Sequence, residues 1–298
     1  MAIFRRKDQR YRATSPHQGC RKVEIRYVRD EEAVTLAVEE EGEGPPLIFL
    51  HALGASGRYF GGRLDTLPAS YRCIMPDLLG FGRSPKPDDS AYTVNDHLAA
   101  LENTLAQCNL ADQPLALIGH SLGAILAVAY AARYPQRVRS LVVIGLPLYE
   151  SPAEARAFIH AHGGWLARLT IDNGPLARLL CIAMCTAPGL SANLALTVAH
   201  QFPPEVARDA IEHTWESYSR TLQHCILDYD LAPALARLTA LPVLALHGER
   251  DAAAPLAAVE RLAARMPNVE LRTLPGGHHL FLQQHAACLA AIEGYLAR

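Results

Sequence analysis

The sequence GHSLG at residues 119–123 is the first candidate for chemistry. It matches the pattern G-x-S-x-G and lies between an apolar run, Leu115–Ile118, and a helical pattern that continues to Ala132. Such a strand–turn–helix junction holds its serine in a strained backbone conformation, with the hydroxyl projecting above the sheet. The glycines are required because side chains would collide where the chain doubles back tightly. Ser121 is therefore the candidate nucleophile, and His120 in the variable position is interpreted as structural.

A nucleophilic serine needs two partners, because its hydroxyl reacts poorly at neutral pH without a general base and an acid that orients the base. Asp251 follows a predicted strand near the end of the chain, and His278 and His279 follow the next predicted strand. Loops after parallel strands open at one edge of a sheet, so one of these histidines can meet Ser121 and Asp251 there. Glu249 lies close to Asp251 and is the alternative acid.

The elements that must position these residues are short β-type runs that alternate with longer helical ones. The first two runs alternate apolar and polar residues, as half-exposed antiparallel strands do, whereas later runs are typical of buried strands. The predicted strands are Val23–Val28, Val34–Glu39, Leu47–Leu50, Arg72–Met75, Leu115–Ile118, Val138–Ile144, Val243–Leu246 and Val269–Thr273. The helical patterns cover Thr93–Cys108, a segment through Ala132, Leu256–Arg265 and His279–Leu296. This order predicts an α/β fold with a mostly parallel eight-stranded sheet flanked by helices.

The rhythm changes over residues 147–233, where no convincing strand occurs. Helix-like runs are found there at Ala153–His162, Leu176–Met184 and Glu205–Leu222. We interpret residues 147–233 as a helical insertion into a core formed by residues 21–146 and 234–298. Residues 1–20 are basic, lack hydrophobic periodicity and are interpreted as a loose N-terminal tail.

The composition excludes several classes of protein. With 298 residues, 50% hydrophobic and 19% charged, the chain has too much apolar material for a disordered protein. Its 28 Lys and Arg against 30 Asp and Glu give a net charge of −2, which argues against nucleic acid as the main partner. The longest apolar stretch, Leu115–Ala132, is interrupted by glycine and polar residues, so no stable membrane insertion is expected.

The cysteines and the N-terminus bear on the cellular compartment. The 7 cysteines include no C-x-x-C pair, and a chain of this length does not need disulfides, which favours reduced thiols. The basic N-terminal residues are not followed by the apolar segment of a secretory signal. We therefore expect a soluble cytoplasmic protein.

Four blocks of sequence in a fixed order make the chain resemble the α/β-hydrolase fold superfamily. They are HALG (51–54), PDLLGFGRS (76–84), GHSLG (119–123), and GERD (248–251) followed by GGHH (276–279). The resemblance covers roughly residues 23–298 and identifies residues 147–233 with the variable helical cap of the family. Within the second block it implies a structural turn, with Asp77 as a turn and helix-capping carboxylate.

The resemblance also implies roles for the site residues. Ser121 would be the nucleophile, Asp251 the acid and His278 the base, because the family's G-H pairing selects the histidine directly after the second glycine. Counting from Pro275 in a P-G-x-G-H pattern would instead select His279, so both histidines remain open.

The oxyanion hole implied by the resemblance consists of two backbone N–H groups, aimed where negative charge develops as an acyl carbon becomes tetrahedral. One belongs to Leu122, which follows the nucleophile, and the other to Leu53, in the loop after the predicted strand Leu47–Leu50. The sequence departs from the family's usual H-G-x-G because Ala52 stands where glycine is expected. We expect this small residue to preserve the loop.

These roles predict a serine hydrolase that cleaves carboxylic esters through an acyl-enzyme intermediate, with a small-molecule ester as its partner. A cap rich in Leu, Ala, Ile and Phe favours short- or medium-chain or aromatic acyl groups. The same residues would also suit a C–C bond hydrolase of ring-cleavage products, a thioesterase, a lactonase, a cofactor-free haloperoxidase or an acyltransferase. A non-catalytic ligand-binding protein of the same fold is a further alternative. The chemistry requires no metal and no organic cofactor.

Overall fold

The centre of the molecule is a mostly parallel β-sheet, described by a computed structural model over residues 33–172, 174–186 and 202–298. Its strands in these residues are β1 (Val38–Glu41), β2 (Pro46–Leu50), β3 (Arg72–Pro76), β4 (Leu115–His120), β5 (Val138–Ile144), β6 (Val243–Gly248) and β7 (Val269–Leu274). They lie in the order β1-β3-β2-β4-β5-β6-β7. Strand β1 is antiparallel to β3, and the remaining neighbours are parallel to each other.

Helices connect these strands. They are α1 (Val94–Gln107), α2 (Leu122–Arg133), α3 (Pro152–His162), α4 (Trp165–Ile171), α5 (Pro175–Thr186), α6 (Pro204–Asp209), α7 (Trp215–Thr221), α8 (Ala232–Ala236), α9 (Leu256–Arg265), α10 (Leu280–Gln283) and α11 (His285–Leu296). Within the described ranges, none of the helices combines the length and the apolar character that crossing a membrane requires.

Both faces of the sheet are buried, as the continuous apolar runs predict. Successive side chains of a strand point to opposite faces. In β2, Ile48 and Leu50 belong to the apolar cluster that contains helix α2, while Leu47 and Phe49 belong to the cluster that contains Phe281. Helix α2 is buried from Leu122 to Ala132, because it is apolar on all sides and lies directly on the sheet.

The predicted strands from β2 to β7 are confirmed to within two residues at each end. The strand expected over Val34–Glu39 begins only at Val38, because backbone N–H groups before it bind side chains instead of a neighbouring strand. Leu36 N–H donates to Thr104 Oγ1, and Ala37 N–H donates to Ser84 Oγ, both at 2.9 Å. The predicted strand Val23–Val28 and the predicted tail 1–20 lie outside the described residues, so the described sheet has seven of the eight strands expected.

Two runs that were predicted as continuous helices are each divided into two helices. The run Glu205–Leu222 divides into α6 and α7, because Thr214 and Ser217 cap each other's backbone N–H groups and start a new helix. The run His279–Leu296 divides into α10 and α11 at Gln284, whose φ of −128° and ψ of 45° are not helical. Helix α7 continues into a π-helical turn at Leu222–Leu227.

Candidate active site

Ser121 lies in the turn between β4 and α2, and its backbone is strained. Its φ of 55° and ψ of −115° are unusual for a residue with a side chain, and such strain persists only where the surroundings impose it. A Cβ on Gly119 would lie 2.2 Å from the Gly123 carbonyl oxygen, and a Cβ on Gly123 would lie 2.0 Å from that of Leu50. The two glycines of G-x-S-x-G therefore permit the tight turn that carries Ser121.

Hydrogen bonds beyond the regular strand ends hold the neighbouring loops together at one edge of the sheet. They run from the N–H of Ser121 to the carbonyl of Ile144 (3.0 Å), from Gly145 to Leu246 (2.9 Å) and from Glu249 to Leu274 (3.0 Å). The loops after β4, β5, β6 and β7 are thereby kept side by side. At the carboxyl ends of parallel strands, residues from distant parts of the chain lie next to one another.

Ser121, His278 and Asp251 form one hydrogen-bonded line at this edge. Ser121 Oγ is 2.8 Å from His278 Nε2, and His278 Nδ1 is 2.9 Å and 3.0 Å from the two carboxylate oxygens of Asp251. Because an ionised carboxylate only accepts, His278 Nδ1 carries the proton and Nε2 is left to accept from the Ser121 hydroxyl. The arrangement can therefore remove a proton from the serine.

Asp251 is kept ionised by its own loop and by His278. Its Oδ1 accepts the backbone N–H groups of Ala253 and Ala254, each at 2.8 Å. Burial raises the pKa of Asp251, but the hydrogen bond from His278 and the backbone N–H of Ala253 hold that pKa below its usual value. Glu249, the alternative acid, is exposed, whereas the side chain of Asp251 is fully buried.

His279 occupies a different environment from His278. Its ring lies 4.6 Å from that of Phe202, and within the described chain its Nδ1 has no hydrogen-bond partner. Burial lowers the pKa of His279 to about 4. Of the two histidines, the structure brings His278, which the resemblance favoured, within hydrogen-bond distance of Ser121.

The two backbone N–H groups predicted to form an oxyanion hole come from segments in contact with each other. Leu122 is the first residue of α2, where N–H groups have no acceptor within the helix. Leu53 lies in the loop after β2, and the first turn of α2 packs against the start of that loop. A Cβ on Gly123 would be 2.0 Å from the Leu50 carbonyl oxygen and 2.8 Å from that of His51.

His51 stabilises this loop, in which Ala52 replaces the glycine usual in the family. Its Nδ1 donates to the Ala52 carbonyl and its Nε2 accepts from the Leu78 N–H, both at 2.7 Å. Burial lowers the pKa of His51 to about 4, which keeps the ring neutral as these two bonds require. Ala52 itself is buried, so the loop accommodates the methyl group.

Asp77 has the contacts of a structural turn residue. Its Oδ1 accepts the N–H of Gly57, the first residue of a short 3-10 segment, at 2.8 Å. Its Oδ2 accepts the backbone N–H and the Nε of Arg83, each at 2.8 Å. Burial raises the pKa of Asp77, but the hydrogen bonds and charge of Arg83 outweigh burial and lower it overall. These contacts fit the structural role expected for Asp77 from the sequence.

Two residues beside Asp251 were not singled out from the sequence. Gly145 follows β5 with a φ of 55°, and a Cβ there would lie 3.2 Å from Asp251 Oδ2 and 3.4 Å from His278 Nδ1. His247 Nε2 lies 3.1 Å from the Ala254 carbonyl oxygen and 3.8 Å from Asp251 Oδ2. A glycine directly after a buried strand, and a histidine ending an apolar one, are the signals that could have found them.

Side chains join the helical segment, by which we mean the described part of residues 147–233, to the loops of the site. Tyr149 donates a hydrogen bond to the Ala253 carbonyl, beside the acid. On the other side, the Asp209 carboxylate at the end of α6 accepts from Arg58 Nε at 2.7 Å and from the Ser56 hydroxyl. The segment is therefore attached both to the acid loop and to the loop that carries Leu53.

Comparisons with known proteins identify the family to which this fold belongs. A sequence model of the alpha/beta hydrolase fold matches residues 45–285. The pimeloyl-[acyl-carrier protein] methyl ester esterase of Chromobacterium violaceum is 29% identical over 277 residues, which are 88% of this chain and 98% of that protein. The crystal structure of E-2-(acetamidomethylene)succinate hydrolase superposes with a TM-score of 0.68 at 23% identity, covering 89% of this chain and 96% of that one.

Other relatives match over a shorter part of the chain. The probable lysophospholipase BODYGUARD 2 of Arabidopsis thaliana is 36% identical over 111 residues, which are 36% of this chain but only 23% of that protein. The chain thus aligns with less than a quarter of this relative. Because the family match itself extends over most of the sequence, the chain belongs to the α/β-hydrolase fold family.

Proposed function

We propose that this protein is a serine hydrolase that cleaves carboxylic esters through an acyl-enzyme intermediate. One observation carries the proposal: Ser121 Oγ lies 2.8 Å from His278 Nε2, and Nδ1 of the same ring lies 2.9 Å from the buried carboxylate of Asp251. A nucleophile, a base and an orienting acid within hydrogen-bond reach are the arrangement that acyl transfer needs. The methyl ester esterase among the relatives supports the choice of an ester bond.

In the first half of the reaction, Ser121 Oγ attacks the ester carbonyl carbon while its proton passes to His278 Nε2. Negative charge develops on the carbonyl oxygen, and the backbone N–H groups of Leu53 and Leu122 stabilise it. Asp251 stabilises the imidazolium that forms. The bond to the alcohol then breaks, and His278 returns the proton to the leaving oxygen.

In the second half, water replaces the alcohol. His278 takes a proton from water as the water oxygen attacks the acyl carbon, and the same N–H groups hold the second tetrahedral intermediate. Collapse of that intermediate breaks the bond to Ser121, which recovers its proton from His278. The carboxylic acid leaves, and the side chains return to their starting protonation states.

The surroundings of Leu53 favour an uncharged, apolar acyl group. Leu53 is half-buried and packs against a cluster of buried side chains from the helical segment, including Ile159 and Leu222. Apolar walls stabilise apolar substrate groups by removing them from water and discriminate weakly among chain lengths. We propose that residues 147–233 act as a cap and that the substrates are esters of short- to medium-chain or aromatic acids.

The test combines activity-based labelling with a series of substrates. The wild-type protein is treated with a fluorophosphonate probe, and its kcat/KM is measured on p-nitrophenyl esters from acetate to decanoate. We expect labelling of Ser121 and hydrolysis of the shorter esters. A folded wild-type protein that neither labels nor hydrolyses any of these esters would contradict the proposal.

The control is Ser121→Ala, which removes one hydroxyl and leaves the turn unchanged. We expect this variant to lose labelling and about 10⁴- to 10⁶-fold in kcat. A vinylogous 1,5-diketone is assayed beside the esters. Faster cleavage of the diketone than of any ester would replace ester hydrolysis by C–C bond hydrolysis on the same residues.

A further inference from the structure

His120, the residue immediately before the candidate nucleophile, makes a contact that the reaction described above does not use. Its side chain is fully buried at the end of β4. Its Nε2 lies 2.7 Å from the backbone carbonyl oxygen of His278. The carbonyl can only accept, so His120 Nε2 donates this hydrogen bond.

The environment of His120 restricts it to a single protonation and tautomeric state. Within the described chain, its Nδ1 is buried and has no hydrogen-bond partner, so the single ring proton is on Nε2. Burial, together with the neighbouring His278 and His279, lowers the pKa of His120 well below its usual value. The imidazole is therefore a permanent donor and does not compete with His278 for protons.

The orientation of the ring is also defined. The Tyr59 ring lies parallel to that of His120, with centroids 4.8 Å apart and an interplanar angle of 13°. The centroid of the His120 ring also lies 5.1 Å from that of the His278 ring and 5.9 Å from that of the His279 ring. Stacking on Tyr59 fixes the plane of the imidazole, and the hydrogen bond to the His278 carbonyl fixes its direction within that plane.

We propose that His120 is a positioning residue that sets the distance between the nucleophile and its base. The inference rests on the function proposed above. The peptide bond joins His120 to Ser121, the imidazole of His120 holds the His278 backbone, and His278 Nε2 returns to Ser121 Oγ at 2.8 Å. These links form a closed circuit of contacts. The backbone of His278 therefore cannot shift without breaking the 2.7 Å hydrogen bond from His120 Nε2 to the His278 carbonyl.

This closed circuit of contacts matters because the loops that carry Ser121 and His278 follow strands that are not neighbours in the sheet. Ser121 follows β4 and His278 follows β7, with β5 and β6 between them in the sheet. A misplacement of about 1 Å between reacting groups can cost about 100-fold in rate. A direct bond between the two loops removes that freedom without contacting the substrate.

Two substitutions test the hydrogen-bond donor and the aromatic ring of His120 separately. His120→Phe keeps an aromatic ring that can stack on Tyr59 but removes the donor, and His120→Gln removes the ring but can place an amide N–H near the position of Nε2. We expect His120→Phe to lower kcat for p-nitrophenyl acetate about 10- to 100-fold with KM little changed. We expect His120→Gln to recover most of that loss, and fluorophosphonate labelling rates to follow the same order.

His97→Phe is the matched control. His97 is also a buried histidine, 1% exposed, whose Nε2 lies 3.3 Å from Thr221 Oγ1, and its substitution removes a side-chain hydrogen bond elsewhere in the core. We expect it to lower the melting temperature and to leave kcat at the wild-type value. If the Phe variant at position 120 does not fold, His120→Asn replaces it, because its shorter amide does not reach the His278 carbonyl.

The positioning role is overturned if folded His120→Phe has the wild-type kcat, or if the Gln variant is as slow as the variant that lacks the donor. It is also overturned if His97→Phe loses kcat to the same extent, since the loss would then reflect general destabilisation. A wild-type protein that neither labels nor turns over would overturn the proposed function itself. These outcomes are distinguishable because the wild type and the variants are measured with the same probe and the same ester.

Discussion

The sheet edge that carries Ser121 and the helical segment above it are held by different kinds of interaction. At the edge, backbone hydrogen bonds between consecutive loops and glycines in close contact with carbonyl groups define the geometry. The helical segment is attached by side chains, among them Tyr149 to the acid loop and Asp209 to the loop after β2. It also exposes large apolar side chains, at Trp165, Leu176, Leu179 and Ile182.

This difference in attachment predicts which substitutions each region can tolerate. Backbone contacts do not depend on side-chain identity except where a Cβ would collide, so the edge is sensitive at few positions but severely so. Side-chain attachments can be replaced one at a time at modest cost. We therefore propose that the rigid region carries the chemistry and that the replaceable region selects the substrate.

After Ser121→Ala, the largest effect is expected from Asp251→Asn at the edge. An amide in place of the carboxylate can donate to His278 Nδ1, which favours the wrong tautomer of the base and removes the charge that stabilises the imidazolium. We expect kcat to fall about 10⁴-fold with the fold retained. Steady-state kinetics on p-nitrophenyl acetate and circular dichroism measure the two quantities.

Glu249→Gln is the control for that substitution, since Glu249 is exposed in the same loop. We expect its kcat to stay close to the wild-type value. Equal losses in the two variants would contradict the assignment of Asp251 as the acid.

Acidification should destabilise the protein through its buried histidines. Burial lowers the pKa of His51 to about 4, of His97 to about 3 and of His213 to about 4. Between about pH 6.5 and about pH 4 the unfolded chain binds protons that the folded protein excludes, so the free energy of unfolding falls as the pH falls. Each such histidine contributes up to about 1.4 kcal/mol per pH unit in this window.

Urea denaturation at several pH values between 7.5 and 4.5 measures this slope. The His97→Phe variant should have a shallower pH dependence than the wild type, even though its stability at neutral pH is lower. An unchanged slope in this variant, or a wild-type stability that rises on acidification, would contradict the prediction.

A smaller effect is expected where α6 joins the loop after β2. The Asp209 side chain is 1% exposed and binds Arg58, whereas Glu205 on the same helix is 39% exposed and binds Arg63. Asp209→Asn leaves a guanidinium without its charge partner and should lower the free energy of unfolding by about 1–3 kcal/mol. Glu205→Gln should lower it by less than about 1 kcal/mol, because this ion pair is partly exposed to water, which screens its charges. Thermal denaturation of the two variants measures this difference, and a larger loss of stability in Glu205→Gln would contradict the prediction.

The smallest effect is expected at the exposed apolar side chains of the helical segment. Leu179 is 63% exposed on α5, so Leu179→Ser removes little buried surface. We expect a change in the free energy of unfolding within about 0.5 kcal/mol and an unchanged kcat for p-nitrophenyl acetate. A large loss of stability would show that this face is covered in solution, and the comparison between the two regions would need revision.

Much of the fold could be predicted because each segment carries its own periodicity. The strands from β2 to β7 and helix α9 follow apolar patterns that local sequence defines. The break between α6 and α7 was not predicted, because helical periodicity continues through it and only the mutual capping of Thr214 and Ser217 marks the new helix. The late start of β1 depends on side chains of Ser84 and Thr104, which are distant in sequence.

The candidate site could be predicted in part for a related reason. The turn around Ser121 depends on neighbouring glycines, so the pattern G-x-S-x-G between an apolar run and a helical one identified it. The family resemblance favoured His278, but adjacent residues have the same local context, and only the position of the loop relative to β4 brings one of them to Ser121. The contact of His120 with the His278 carbonyl joins two distant parts of the chain, and no local pattern indicates it.

The order of amino acids alone therefore determined the fold class, the family and the serine turn, since local steric and hydrophobic rules act on near neighbours. The tertiary structure decided which imidazole meets the hydroxyl, which carboxylate is buried behind it and which side chains brace the loops. Those choices depend on distances between strand ends that are far apart in the chain. Such distances are set only when both faces of the sheet are packed.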